Sequence, residues 1–291
     1  MLSPFVLHQP RSLPDALTLL SEHNGDSNVL AGGSELLLLL KMGLIKANHI
    51  VDIKKIPGLD RLELNSQGNT LHVGPLVTHR ALEKSQLIEQ HFPLLAEMER
   101  DLANVRIRNV GTLAGNLCFA EPHADPGALL AVYDAVVTLR DSERERRVAI
   151  KDFFTDYYET ALQKNELLID IEIPKLADNF RGDYLRFCPG EWPMVTVALL
   201  TRWTGGTCAE ARLGLGCVGP KPIRVTEFEE ATRGRSAEEL AARADEFGAL
   251  AARGCDPLAD LWGSAEYKRQ IVKNLVREGL RHQCQGRAKN E

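Results

Sequence analysis

The sequence predicts an α+β protein in two parts, and three observations lead there. Short apolar strands alternate with amphipathic helical segments over residues 1–175. A polar stretch after Pro174 interrupts the pattern, and three long strand segments followed by two helices fill residues 180–285. A chain of 291 residues with 44% hydrophobic content can bury more than one core.

In chain order, Ser12-Leu13-Pro14-Asp15 reads as a helix start. Ser12 is the cap, Asp15 stands in the capping-box position, and Ala16, Leu17, Leu19 and Leu20 form an apolar stripe. Asn28-Val29-Leu30 is a short buried strand, a leucine-rich helix follows over 36–40, and Ile50-Val51-Asp52-Ile53 is a second, β-branched strand. Together they make a compact βαβ-like unit over about 1–55. Residues 62–75 alternate apolar and polar positions about a Gly68-Asn69 turn, as a hairpin with one buried face does. Thr78 caps a helix through Leu82, and Pro93 opens another over 93–104. A short helix at 128–133, a strand at 135–139 and a strand at 166–173 complete a second subdomain over 56–175. Beyond the polar stretch 176–182, strands at 184–188, 194–203 and 208–217 precede helices at 237–253 and 265–282, an antiparallel sheet covered by helices.

Charge and cysteine usage narrow the function. With 35 basic and 40 acidic residues the net charge is −5, and without a basic stripe nucleic acid is not an expected partner. No apolar run is long enough to span a bilayer, and the first residues form no signal peptide, so the expected location is the cytoplasm. The six cysteines, Cys118, Cys188, Cys208, Cys217, Cys255 and Cys284, include no C-x-x-C pair, which argues against a zinc site or an iron–sulfur cluster of the chain's own. They read as reduced structural thiols, with Cys118 a packed small hydrophobe. His49, His72, His79 and His123 show no metal-ligand spacing and read as surface or capping residues. His123 is singled out for its place before Asp125.

Two glycine-centred segments, Val29-Leu30-Ala31-Gly32-Gly33-Ser34-Glu35-Leu36 and Asn109-Val110-Gly111-Thr112-Leu113-Ala114-Gly115-Asn116, carry the functional signal. Gly32, Gly33 and Gly115 permit positive φ and close approach of an anion to successive backbone N–H groups. A helix opening at Ser34 adds about half a positive charge at its N-terminus. Neither segment is the G-x-G-x-x-G fingerprint or a P-loop. Plain turns remain the alternative for either segment alone.

These segments, joined by Arg106-Ile107-Arg108 and followed by Pro122-His123-Ala124-Asp125, resemble the FAD-binding medium subunit of molybdenum hydroxylases, the family of xanthine dehydrogenase and aerobic carbon monoxide dehydrogenase. The similarity runs over nearly the whole chain. It implies a two-subdomain FAD-binding domain of the vanillyl-alcohol-oxidase type over 1–175 and a carbon monoxide dehydrogenase flavoprotein-like domain over 180–285. It further implies FAD held at its diphosphate by Ala31, Gly32, Gly33, Ser34 and Glu35 and by Thr112, Leu113, Ala114, Gly115 and Asn116.

Asp125 falls where the family has an aspartate close to FAD, and its carboxylate suits ribose or ribityl hydroxyl donors; a turn or cap role before Pro126 is the alternative. Trp192 falls near the position beside the isoalloxazine where relatives place a tyrosine or an aliphatic residue, with a core tryptophan as the alternative. Arg186 matches a basic residue near the flavin, where a cation favours the reduced ring, or else marks the exposed side of a strand. Ala114 departs from the paired glycines common in the family and is tolerable only at negative φ.

The resemblance implies an electron-transfer subunit whose partners, in a dimer of heterotrimers, are a large molybdenum-cofactor subunit and a small subunit with [2Fe-2S] clusters. No catalytic residue and no metal ligand are expected in this chain. A flavin-free structural subunit and a stand-alone flavin reductase are the alternatives.

Overall fold

The computed structural model of the chain describes residues 3–285. Its first unit is a three-stranded parallel sheet, β1 (Val6–His8), β2 (Ser27–Leu30) and β3 (His49–Asp52), in the order β1-β3-β2, with helices α1 (Leu13–Glu22) and α2 (Ser34–Met42) in the connections. The sheet buries both faces. Val51 packs with Leu17 and Leu20 of α1, while its neighbour Ile50 points the other way, to Leu40 of α2. α1 starts as expected, with the Asp15 N–H donating to Ser12 Oγ at 3.2 Å.

The second unit is a five-stranded antiparallel sheet, order β4-β5-β10-β6-β7. Its strands are β4 (Leu62–Leu64), β5 (Thr70–Val73), β6 (Val136–Arg140), β7 (Glu145–Ala149) and β10 (Leu167–Pro174), with the small pair β8 (Phe154–Asp156) and β9 (Glu159–Thr160) beside them. Against it lie α3 (His79–Lys84), α4 (Gln86–His91), α5 (Pro93–Asp101), α6 (Val105–Val110), α7 (Leu113–Phe119), α8 (Pro126–Val132) and α9 (Ile150–Phe153). The helix expected over 93–104 stops at Asp101. Ala103, at φ +44°, turns the chain, and the Asn104 side chain caps a separate α6 by accepting from the N–H groups of Arg106 and Ile107.

The third unit is the antiparallel sheet β11 (Phe180–Phe187), β12 (Val195–Thr204), β13 (Thr207–Gly216) and β14 (Ile223–Arg224), followed by α10 (Thr226–Thr232), α11 (Ala237–Ala242), α12 (Ala244–Arg253) and α13 (Ala265–Gln285). The expected single helix over 237–253 is two, broken at Arg243 (φ −101°, ψ 15°). β11 begins at Phe180, four residues before the expected strand. As an edge strand it tolerates the polar Arg181 and Gly182, and Gly182 lets Leu94 of α5 close in. β12 is buried on both faces. Val195, Val197 and Leu199 face the core under α10–α13, whereas Ala198 and Leu200 complete the core of the second unit. No helix of the described residues is long and apolar enough to cross a membrane.

Candidate functional site

The two glycine segments touch. A Cβ on Gly32 would lie 2.1 Å from the Val110 carbonyl oxygen, so only glycine lets the β2–α2 turn close onto the end of α6. Gly33, at φ +79°, then turns the chain directly into α2. As the N-cap it offers no side-chain acceptor, so the first-turn N–H groups of Ser34, Glu35 and Leu36 lack an intrahelical partner. The first intrahelical bond is Leu37 N–H to Gly33 O, 3.1 Å.

The second segment works differently from the expectation. Gly115 is not at positive φ; it is the third residue of α7, and its N–H donates to the capping Thr112 Oγ1 at 3.0 Å. The Leu113 N–H is spent on the Val77 carbonyl at 3.3 Å, and Ala114 sits at negative φ with its methyl in the core. The departure at Ala114 therefore costs no strain. The segment meets the start of α2 at Gly111, where a Cβ would stand 3.3 Å from the Ser34 hydroxyl. Asn116, half-buried, projects from the next position of α7.

Asp125 and Arg186 are brought together, with Tyr184, which the sequence reading did not single out. The Tyr184 hydroxyl donates to Asp125 Oδ1 at 2.8 Å, and an Arg186 guanidinium nitrogen lies 3.4 Å from Oδ2. Asp125 does not cap α8, since its side chain makes no capping bond there. Burial pushes the Asp125 carboxyl up to about 6 against the opposing pull of Arg186 and Tyr184. Tyr184, buried beside this carboxylate, is raised well above the usual phenol value. Arg186 is not an exposed strand residue. It also donates to the Asp101 carbonyl, and its buried Nε has no partner. Nearby, His79 corrects the surface expectation: it is 2% exposed and bonded to the buried Glu99 at 2.8 Å, because its own N–H must reach the Gly111 carbonyl.

Around the rim, Glu35 is raised by burial and by the charge of Glu121, whose own oxygens accept from Tyr158 Oη at 2.8 Å and pair with His123 Nδ1 at 3.1 Å. A second carboxylate so close makes the Glu35 side chain unsuited to an anion, whereas its backbone N–H lies in the uncapped first turn of α2. His123 also faces Asp260, Nε2 to Oδ2 3.9 Å, and meets the Trp262 ring edge-on at 5.8 Å. Trp192 is 42% exposed in the loop between β11 and β12, so it is not a core tryptophan. Cys118 behaves as expected, with burial pushing its thiol up to about 12. A cavity of about 230 Å³, lined by Gly127, Lys151, Lys221 and Arg224 among others, includes none of the glycine-segment residues.

An uncapped helix N-terminus at a β–turn–α junction and an orphaned buried guanidinium N–H suit an anionic ligand. They define the class as a cofactor-binding protein of mixed helix and sheet. Residues 3–176 match the family described as the FAD binding domain in molybdopterin dehydrogenase, and residues 186–283 match the CO dehydrogenase flavoprotein C-terminal domain. The chain belongs to this family of flavoprotein oxidoreductase subunits.

It is 30% identical over 278 residues to the carbon monoxide dehydrogenase medium chain of Hydrogenophaga pseudoflava, covering 95% of this chain and 96% of that one. To the nicotine 6-hydroxylase medium subunit of Paenarthrobacter nicotinovorans it is 30% identical, with 93% and 94% covered. The solved structure of quinoline 2-oxidoreductase from Pseudomonas putida 86 superposes with a TM-score of 0.90 at 26% identity, covering 98% of this chain and 99% of that one.

Proposed function

We propose that the chain is the FAD-carrying, electron-transfer subunit of a molybdenum hydroxylase. Its partners are a small subunit with [2Fe-2S] clusters and a large subunit whose molybdenum cofactor oxidises the substrate, assembled as a dimer of heterotrimers. When bound, FAD supplies the redox chemistry that links iron–sulfur clusters to an external acceptor.

The chain's own residues bind and orient. The N–H groups of Ser34, Glu35 and Leu36 hold the diphosphate, with Ala31, Gly32 and Gly33 shaping the turn. Thr112, Leu113, Ala114, Gly115 and Asn116 form the opposite wall. Asp125 and Tyr184 hold a proton between Oδ1 and Oη, and Arg186 supplies a fixed cation. Trp192, exposed in the β11–β12 loop, would cover the flavin ring.

The observation that carries this reading is the uncapped α2 N-terminus, held by the contact of Gly32 with Val110. The test is flavin content of the complex purified with its partners. About one FAD per chain is expected on heat release, lost in Gly32→Val, whose side chain drives into the Val110 carbonyl. An intact complex holding molybdenum and iron but no flavin rejects the reading and leaves a scaffolding subunit.

A further inference from the structure

Away from the glycine segments, three imidazoles from three elements meet. His8 ends β1, His23 is the C-cap of α1, and His49 opens β3. His8 Nε2 lies 3.0 Å from His49 Nδ1. The His23 and His49 rings stack with centroids 3.7 Å apart and planes 8° from parallel, and His8 stands 5.2 Å from each of them. One ring nitrogen from each residue falls within a set spanning no more than 4.8 Å. All three side chains are half-buried, so a ligand can reach them without unfolding the unit.

The backbone beneath is fixed at each point. His8 lies in register with Val51 in the β1–β3 ladder, the His23 N–H donates to the Leu19 carbonyl at 3.1 Å, and the His49 N–H donates to the Asp26 carbonyl at 3.3 Å. Asp26 in turn bonds back to the His23 carbonyl at 2.7 Å across the loop containing Gly25. Such a cluster is awkward for protons. Burial and the neighbouring imidazoles of His23 and His49 lower the pKa of His8, while Glu22 opposes them. Nothing in the flavin site uses these residues.

We propose that His8, His23 and His49 form a binding site for one divalent transition-metal ion of the zinc class, with water in the fourth position. Three imidazoles and an open position are an established zinc donor set, and to converge on one ion the His23 and His49 rings would turn out of their parallel stack. The ion would tie β1, α1 and β3 together, stabilising the small parallel sheet by binding the folded state alone.

The test uses the full chain, stripped with a chelator and equilibrated with zinc chloride. One zinc per chain is expected, with the zinc-edge absorption spectrum showing three nitrogens at about 2.0–2.1 Å. His23→Ala, which lies outside the sheet ladder, and His49→Ala are expected to weaken binding by at least about tenfold, the lower end of what loss of even an outer-shell partner costs. The metal-free melting temperature of His23→Ala should stay near the parent value. Equal zinc binding by parent and variants overturns the site. So does a parent spectrum dominated by sulfur near 2.3 Å, which would place the metal on cysteine. The parent spectrum decides the matter even if a variant fails to fold.

Discussion

Asp125 is the residue whose burial has the plainest consequence for pH. Its carboxyl, at about 6 in the folded chain, keeps a proton that an unfolded aspartate has lost by about pH 4. The folded state therefore binds more protons between about pH 4 and 6, and stability from this group falls as pH rises through that window, by up to about 3 kcal/mol. Asp125→Asn cannot titrate. The difference in unfolding free energy between parent and variant should decline from pH 4 to 6 and flatten above, in urea unfolding at a series of pH values. Parallel pH profiles would refute the assignment. The sequence pointed to Asp125 and Arg186 one at a time; Tyr184, the other partner of Asp125, was invisible, because nothing local marks one tyrosine in an alternating strand as the donor to a carboxylate 59 positions away.

At the scale of elements, helix starts were legible and helix ends were not. Ser12 and Thr78 each accept the expected capping bond, since a cap is written in a few adjacent residues. The breaks after Asp101 and Ala242 were missed because apolar spacing continues through them and only the backbone angles at Ala103 and Arg243 differ. The α12–α13 pair offers a test of which local rule wins. Gly248, inside α12, would gain up to about 1 kcal/mol of helix propensity on replacement by alanine. Its Cβ, however, would stand 2.5 Å from the Lys273 carbonyl oxygen of α13, and backbone there cannot move cheaply. Gly248→Ala should thus be destabilising by about 1–3 kcal/mol, read as a lowered melting temperature. A raised one would show that the two helices separate freely.

For the molecule as a whole, the second and third units are not independent, despite the polar stretch between them. Tyr184, Ala198 and Leu200 belong to the core of the second unit, and Arg212 and Arg224 reach the carbonyls of Val132 and Ala131 at the end of α8 while both pair with Asp134. A fragment ending at residue 175 would expose the face that β11 and β12 cover. It should lack a cooperative melt and bind a hydrophobic dye, whereas the full chain melts as one transition. A fragment with a sharp, native-like transition would contradict the shared core.

By itself the sequence determined the α+β class, the order of most strands, the capped helix starts and the two glycine segments as the place to look, because each is encoded in residues within one turn or one strand. Only the tertiary structure decided that Gly32 serves a backbone contact with Val110 while Gly115 serves a helix, that His79 is buried against Glu99, and that His8, His23 and His49 share one corner. Those facts depend on which distant backbones approach each other. Periodicity and composition record the face a residue presents, not the partner that face will meet.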